Sequence, residues 1–132
     1  MQSAETSAAQ SPEAAAPLTI LAVDDDALVL FGTSAMIEDL GHKPLEATSA
    51  ADALALIRGG AQIDLVITDQ AMPSMTGVQL AQALAQEKPG LPVVLATGYS
   101  DLPPGSPNIP MIGKPFSERD LAAKIADVLK AR

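Results

Sequence analysis

The chain has 132 residues, 48% of them hydrophobic, with a net charge of −8 and no cysteine. That length is one domain's worth and can bury a real core. Without a basic patch, direct nucleic-acid binding is excluded as a main role, because phosphate contacts need clustered Lys and Arg; without thiols there is no disulfide frame, thiol nucleophile or zinc–thiolate site.

Residues 1–17 are Ala, Ser, Gln, Glu and Pro with almost no large apolar side chain. Such a segment cannot bury enough surface to offset its ordering entropy. It reads as a disordered tail, or as a linker from a longer protein, ahead of one domain over 18–132. No secretory signal pattern opens the chain, and no apolar run approaches the ~20 residues of a membrane span. A cytoplasmic protein without membrane insertion is expected.

From Leu18 onward, strand and helix signals alternate. A first strand is predicted over 18–23 and a first helix over 27–40, with Leu28, Phe31 and Ala35 on one face and Gly41 as its stop signal. A short strand follows over 44–48. Ser49 opens the second helix with Asp52 three residues on, the pattern of a capping box, and Gly59-Gly60 ends it. The apolar run 63–68 suits a strand buried on both faces. A third helix covers 77–87 and closes at Pro89-Gly90. A fourth strand covers 92–96 and a fifth 109–112. Ser117 caps the last helix, with Asp120 three residues later and Leu121, Ile125, Val128 and Leu129 as its buried stripe.

Between the last two strands, Asp101 to Asn108 contains Pro103, Pro104, Gly105 and Pro107. Proline inside a helix costs about 3 kcal/mol. A loop, or at most one helical turn, is expected there in place of a regular helix. Only Phe31, Phe116 and Tyr99 are aromatic. The core is therefore built from Ala, Val, Leu, Ile and Met, which suits a parallel sheet between small-residue helices.

Four polar landmarks fall where strand-like runs end: Asp24-Asp25-Asp26, Asp69, Thr97 and Lys114-Pro115. In an open parallel sheet the carboxyl ends of the strands line one crevice where ligands bind. Asp26 is placed to cap the first helix, leaving Asp24 and Asp25 to face the crevice. Hard oxygen ligands of this kind suit Mg²⁺. Asp69 can be a turn-starting residue or a carboxylate nucleophile aided by a metal. The string Asp69-x-x-Met72-Pro73-x-Met75-x-Gly77 is specific, and Met72, Pro73 and Gly77 shape the loop into the third helix. A Thr at a strand end is usually structural, but the Thr97 hydroxyl could bond a phosphoryl oxygen, with Gly98 leaving room. Most lysines are solvated; Lys114 is set at the end of the last strand by Pro115, and its ammonium can pair with phosphate. The Lys114–Pro115 bond is a candidate for the cis form.

Together, Val23-Asp24-Asp25-Asp26, Thr68-Asp69 through Met72-Pro73 to Gly77, Ala96-Thr97-Gly98 and Gly113-Lys114-Pro115-Phe116 resemble the receiver domain of two-component response regulators. The resemblance covers about residues 18–131. It implies an α/β, flavodoxin-like (CheY-like) five-stranded parallel sheet in the order 2-1-3-4-5, with helices on both faces. It implies that Asp69 accepts a phosphoryl group from a histidine kinase or histidine phosphotransferase. Asp24 and Asp25 would hold Mg²⁺ with Asp69 and the backbone carbonyl of Ala71, and Thr97 and Lys114 would ligate the phosphoryl oxygens. The protein would then be a signalling module and not an enzyme, catalysing only its own phosphorylation and dephosphorylation.

The chain departs from the family pattern in two places. Receivers often carry Tyr or Phe three residues before the Lys, as a switch that moves with the Thr; here that position is Met111. The proline-rich stretch replaces the fourth helix, altering a face through which many receivers signal or dimerise. Tyr99, two residues past Thr97, could take the aromatic role. Similar sequences occur among receivers appended to hybrid histidine kinases and among single-domain regulators, so the chain is a stand-alone regulator or an excised module. The positions two beyond Asp69 and two beyond Thr97, which help place the hydrolytic water in receivers, are Ala71 and Tyr99; slow self-dephosphorylation is expected.

Three competing readings differ in class. A hydrolase of the haloacid-dehalogenase type would need a second Asp two residues past its nucleophile, where Ala71 stands. A pseudo-receiver would be a phosphorylation-independent interaction module, yet every acceptor-site residue is in place. A flavin or nucleotide binder would need a glycine-rich phosphate loop where the three acids stand.

Overall fold

A computed structural model describes residues 17–98 and 109–130. Residues 1–16 of the tail expected over 1–17, the loop expected over 101–108 and Tyr99 lie outside the described residues.

The elements run in the order β1 (Thr19–Val23), α1 (Ala27–Asp39), β2 (Lys43–Ala47), α2 (Ala50–Arg58), β3 (Leu65–Asp69), α3 (Gly77–Glu87), β4 (Val93–Thr97), β5 (Met111–Gly113) and α4 (Glu118–Lys130). The five strands form one sheet in the order β2-β1-β3-β4-β5. All its pairings are parallel. This is the flavodoxin-like order 2-1-3-4-5. Every residue of β3 and β4 is buried, as central strands covered on both faces must be.

Strand alternation divides the core into two layers. Leu21, Val23, Val66 and Val93 point to one side, where α2 and α3 cover them with Ala53, Leu54, Ile57, Leu80 and Leu84. Ile20, Ala22, Leu65, Ile67, Val94 and Ala96 point to the other, against Leu30 and Ile37 of α1 and Leu121, Ile125 and Val128 of α4. Successive strand residues face opposite sides, so one run of five residues feeds both layers. Each fully buried Leu or Ile contributes about 1.5–3 kcal/mol.

The expected face of α1 is corrected. Leu28 and Phe31 are 82% and 72% exposed, and Ala35 is exposed beside them. The buried stripe is Leu30, Thr33, Ser34 and Ile37. Leu28, Val29, Leu30 and Phe31 are consecutive apolar residues, so the helix is apolar on several faces and periodicity does not orient it. Ser34 is satisfied inside by donating to Glu46 Oε2 at 2.6 Å.

The caps are local and explain the element starts. Asp26 Oδ1 accepts from Leu28 N–H at 2.9 Å and Val29 N–H at 3.3 Å. Ser117 and Asp120 form a reciprocal pair: Asp120 N–H donates to Ser117 Oγ at 3.1 Å and Ser117 N–H to Asp120 Oδ2 at 3.0 Å. At α2 only half of the expected box forms. Ser49 Oγ accepts from Asp52 N–H, while Asp52 Oδ2 turns to the Thr48 hydroxyl. Thr76 and Gln79 complete a full box at α3. Gly41, at φ 91°, ends α1 in the left-handed region where a side chain would be strained.

Candidate functional site

The parallel sheet brings the ends of β1, β3, β4 and β5 to one edge. Asp24 follows β1 directly, and its N–H donates to Ala47 O of β2 at 3.2 Å. Its Oδ1 then accepts from Asp26 N–H at 2.9 Å, folding the acidic run back on itself. Asp69 is the last residue of β3. Thr97 ends β4 beside Gly113, and Lys114 N–H donates to Thr97 O at 3.1 Å.

Lys114 lies two strands from Asp69 in the sheet order. Neighbouring strands are roughly 4.7–4.9 Å apart, so only a long side chain can cross β4. Lys114 does so. Its Nζ donates to Asp69 Oδ1 at 2.9 Å and lies 3.5 Å from Asp24 Oδ2. The Lys114–Pro115 peptide is cis.

Asp24 and Asp69 are each 6% exposed, while Asp25 faces solvent. One carboxylate oxygen from each lies within 4.8 Å of the others. Three carboxylates less one ammonium leave a formal surplus of two negative charges. Burial raises the pKa of Asp24, and the neighbouring charge of Asp69 adds to it; the hydrogen bond from Asp26 N–H and the charge of Lys114 pull the other way. Burial works against the Lys114 ammonium, but its hydrogen bond to Asp69 and the charges of Asp69 and Asp24 outweigh that, and its pKa rises. A clustered set of hard oxygens with this charge fits a small divalent cation such as Mg²⁺, which takes one or two carboxylates and retains waters.

The remaining sequence-predicted residues frame this centre. The Thr97 side chain is buried, and its hydroxyl donates to Gly98 O at 2.8 Å. Ala71 is exposed, just past Asp69, and its carbonyl accepts no hydrogen bond from a backbone group of the described residues. Met72 is buried in the core layer under α2 and α3. Pro73 is exposed. Gly77 is indispensable to the approach of α3: a Cβ there would meet Asp69 O at 2.5 Å and Leu95 Cδ2 at 2.8 Å. Met111 is 43% exposed on the edge strand, three residues before Lys114. Gln70 carries no motif weight in the sequence, yet its side chain is buried and bonds the first turn of α3.

A doubly covered parallel sheet with an acidic centre and a lysine at its carboxyl edge defines the class of α/β signalling domains built on the flavodoxin-like fold. The family model for the response regulator receiver domain matches residues 20–126, and the chain belongs to that family. It is 28% identical to the sensor kinase CckA of Brucella abortus (strain 2308) over 118 residues, covering 85% of this chain and 12% of that protein. It is 30% identical to the response regulator protein TmoT of Ectopseudomonas mendocina, covering 84% of this chain and 52% of the relative. The chain thus spans about half or less of these relatives. Among solved structures, the receiver domain protein of Methanospirillum hungatei JF-1 superposes with a TM-score of 0.77 at 30% identity, covering 88% of this chain and 96% of that one. A receiver domain protein from Clostridium thermocellum gives 0.77 at 26% identity, covering 86% and 95%. The chain is a signalling domain of two-component systems. Among the described residues, no helix is long and apolar enough to cross a membrane.

Proposed function

We propose that this receiver domain accepts a phosphoryl group on Asp69 from a phospho-histidine of a histidine kinase or histidine phosphotransferase. The observation that carries the reading is the Lys114 ammonium held against two buried carboxylates, Asp69 at 2.9 Å and Asp24 at 3.5 Å. One oxygen of Asp69 is taken by Lys114. No hydrogen-bond donor among the described residues meets the other, Oδ2, so it is available to attack.

Asp24, Asp25, Asp69 and the Ala71 carbonyl would hold Mg²⁺, which when bound would offset the surplus negative charge and that of the incoming phosphoryl group. Asp69 attacks phosphorus in line; the P–O bond forms as the P–N bond to the donor histidine breaks, and the imidazole nitrogen leaves with the bonding pair. Lys114 then exchanges part of its contact with Asp69 for a phosphoryl oxygen. Thr97, whose hydroxyl donates to Gly98 O at 2.8 Å, rotates to another phosphoryl oxygen. Both act by positioning and charge stabilisation. The new bonds bias two arrangements of the segment between β4 and β5, and partner affinity follows. Thr97, Met111 and Tyr99 are the residues assigned to that switch.

The element span from Thr19 to Lys130 supports one receiver over 18–132, with 1–17 as tail or linker. A cytoplasmic location accords with a phospho-histidine donor and the absence of cysteine. The test is transfer from a labelled phospho-histidine protein. Label should move to the wild type, not to Asp69→Asn, and chelation should stop it. Binding to the donor without any transfer would favour the pseudo-receiver.

A further inference from the structure

We propose that Gln70 is a positioning residue that clamps the loop after Asp69 and so aims the Ala71 carbonyl at the crevice. The inference rests on the receiver reading above and deepens it at one residue.

Gln70 is 4% exposed and is bonded in four directions. Its N–H donates to Ala96 O of β4 at 3.1 Å. Its main-chain carbonyl accepts from Met72 N–H at 3.0 Å and from Gly77 N–H at 3.1 Å. Its side-chain Oε1 accepts from Val78 N–H at 2.8 Å. One residue thus joins the end of β3, strand β4, the loop and the first turn of α3.

The bond from Met72 closes a three-residue turn with Ala71 at its centre. The orientation of the Ala71 carbonyl is therefore set by Gln70. A second such turn follows at once: Met75 N–H donates to Pro73 O at 2.8 Å, and Ser74 between them has φ 70°. That conformation is rare for a residue with a side chain. A strained loop persists only when its surroundings over-determine it. Gln70 and the close seat of Gly77 supply that constraint.

Helix capping alone does not account for Gln70. Thr76 and Gln79 already complete the capping box of α3. Gln70 takes two further amides of the same turn, and does so from the position directly after Asp69. Its Nε2 group meets no acceptor among the described residues. A buried amide left half-satisfied is costly, so a residue serving only to fill space there would be apolar.

The test compares wild type with Gln70→Met, which keeps length but offers Val78 no comparable acceptor, and Gln70→Glu, which keeps the acceptor. Mg²⁺ binding is measured by calorimetry on the folded proteins, beside amide hydrogen exchange without metal. Loss of a group that orients a ligand typically weakens metal affinity about 10-fold or more. We expect that loss in Gln70→Met, with faster exchange at Met72, Gly77 and Val78, and recovery of most affinity in Gln70→Glu. Unchanged Mg²⁺ affinity in folded Gln70→Met would overturn the proposal. So would wild-type exchange at those amides as fast as in open loops, a result that needs no variant to fold. If wild type itself fails to bind Mg²⁺, the receiver reading fails, while the exchange data still report on the clamp.

Discussion

Lys114 Nζ lies 2.9 Å from Asp69 Oδ1, although the two residues are 45 positions apart in the chain. The contact exists because β4 separates β3 from β5 and a lysine stem is long enough to cross it. It holds the Asp69 carboxylate, the proposed phosphoacceptor, and its counter-ion together before any donor arrives.

Replacing that ammonium separates its two roles. Lys114→Met leaves Asp24 and Asp69 without their cation. Phosphorylation from a small phosphodonor at saturating Mg²⁺ should slow by roughly 100-fold, the scale of losing one preorganised charge-stabilising donor. Mg²⁺ affinity should not fall, since the competing ammonium is gone. Stopped-flow or quenched mass measurements give the rate, and calorimetry gives the affinity. Weaker Mg²⁺ binding in the variant would contradict this division.

Gly77→Ala tests the close seat of α3. Its Cβ would approach Asp69 O to 2.5 Å, and backbone cannot yield cheaply. Overpacking of this kind typically costs about 1–3 kcal/mol. Urea unfolding should show that loss. A neutral effect would mean that α3 sits farther from β3 than described.

Ala71 is exposed and offers no side-chain polar group beside Asp69. With nothing there to orient water, the acyl phosphate should be long-lived. Ala71→Asn should shorten its lifetime, read from the decay of the phosphorylated mass after donor removal. An unchanged lifetime would remove this position from the hydrolytic path.

His42 ties the entry of β1 to that of β2. Its Nδ1 accepts from Leu18 N–H at 3.0 Å, which requires a neutral ring. Burial lowers its pKa below the usual histidine value. Its contribution to stability is therefore complete above that usual value, roughly pH 6.5, and is lost as pH falls through the lowered one. Urea midpoints should drop between neutral and mildly acidic pH, and His42→Gln should flatten that part of the slope. An identical slope in the variant would assign the effect to carboxylates instead.

The strands and the acidic centre were legible because they rest on local signals, whereas the sheet order followed from the resemblance to receiver domains. Apolar runs mark the strands, and each polar landmark terminates one of them. Asp26 and Ser117 announce their caps within three residues. The face of α1 was not legible: consecutive Leu28, Val29, Leu30 and Phe31 leave its orientation to tertiary packing, which buries Thr33 and Ser34 instead. Gln70 was hidden for another reason. Its importance comes from a bond eight residues away that exists only once α3 seats Gly77 against Asp69.

The most direct measurement is intact mass after incubation with Mg²⁺ and acetyl phosphate, with phosphorylated histidine phosphotransferase as a second donor. The account predicts one phosphoryl group on wild type, and none on Asp69→Asn or in the presence of a chelator. An adduct that persists in Asp69→Asn, or no adduct from either donor, would contradict it.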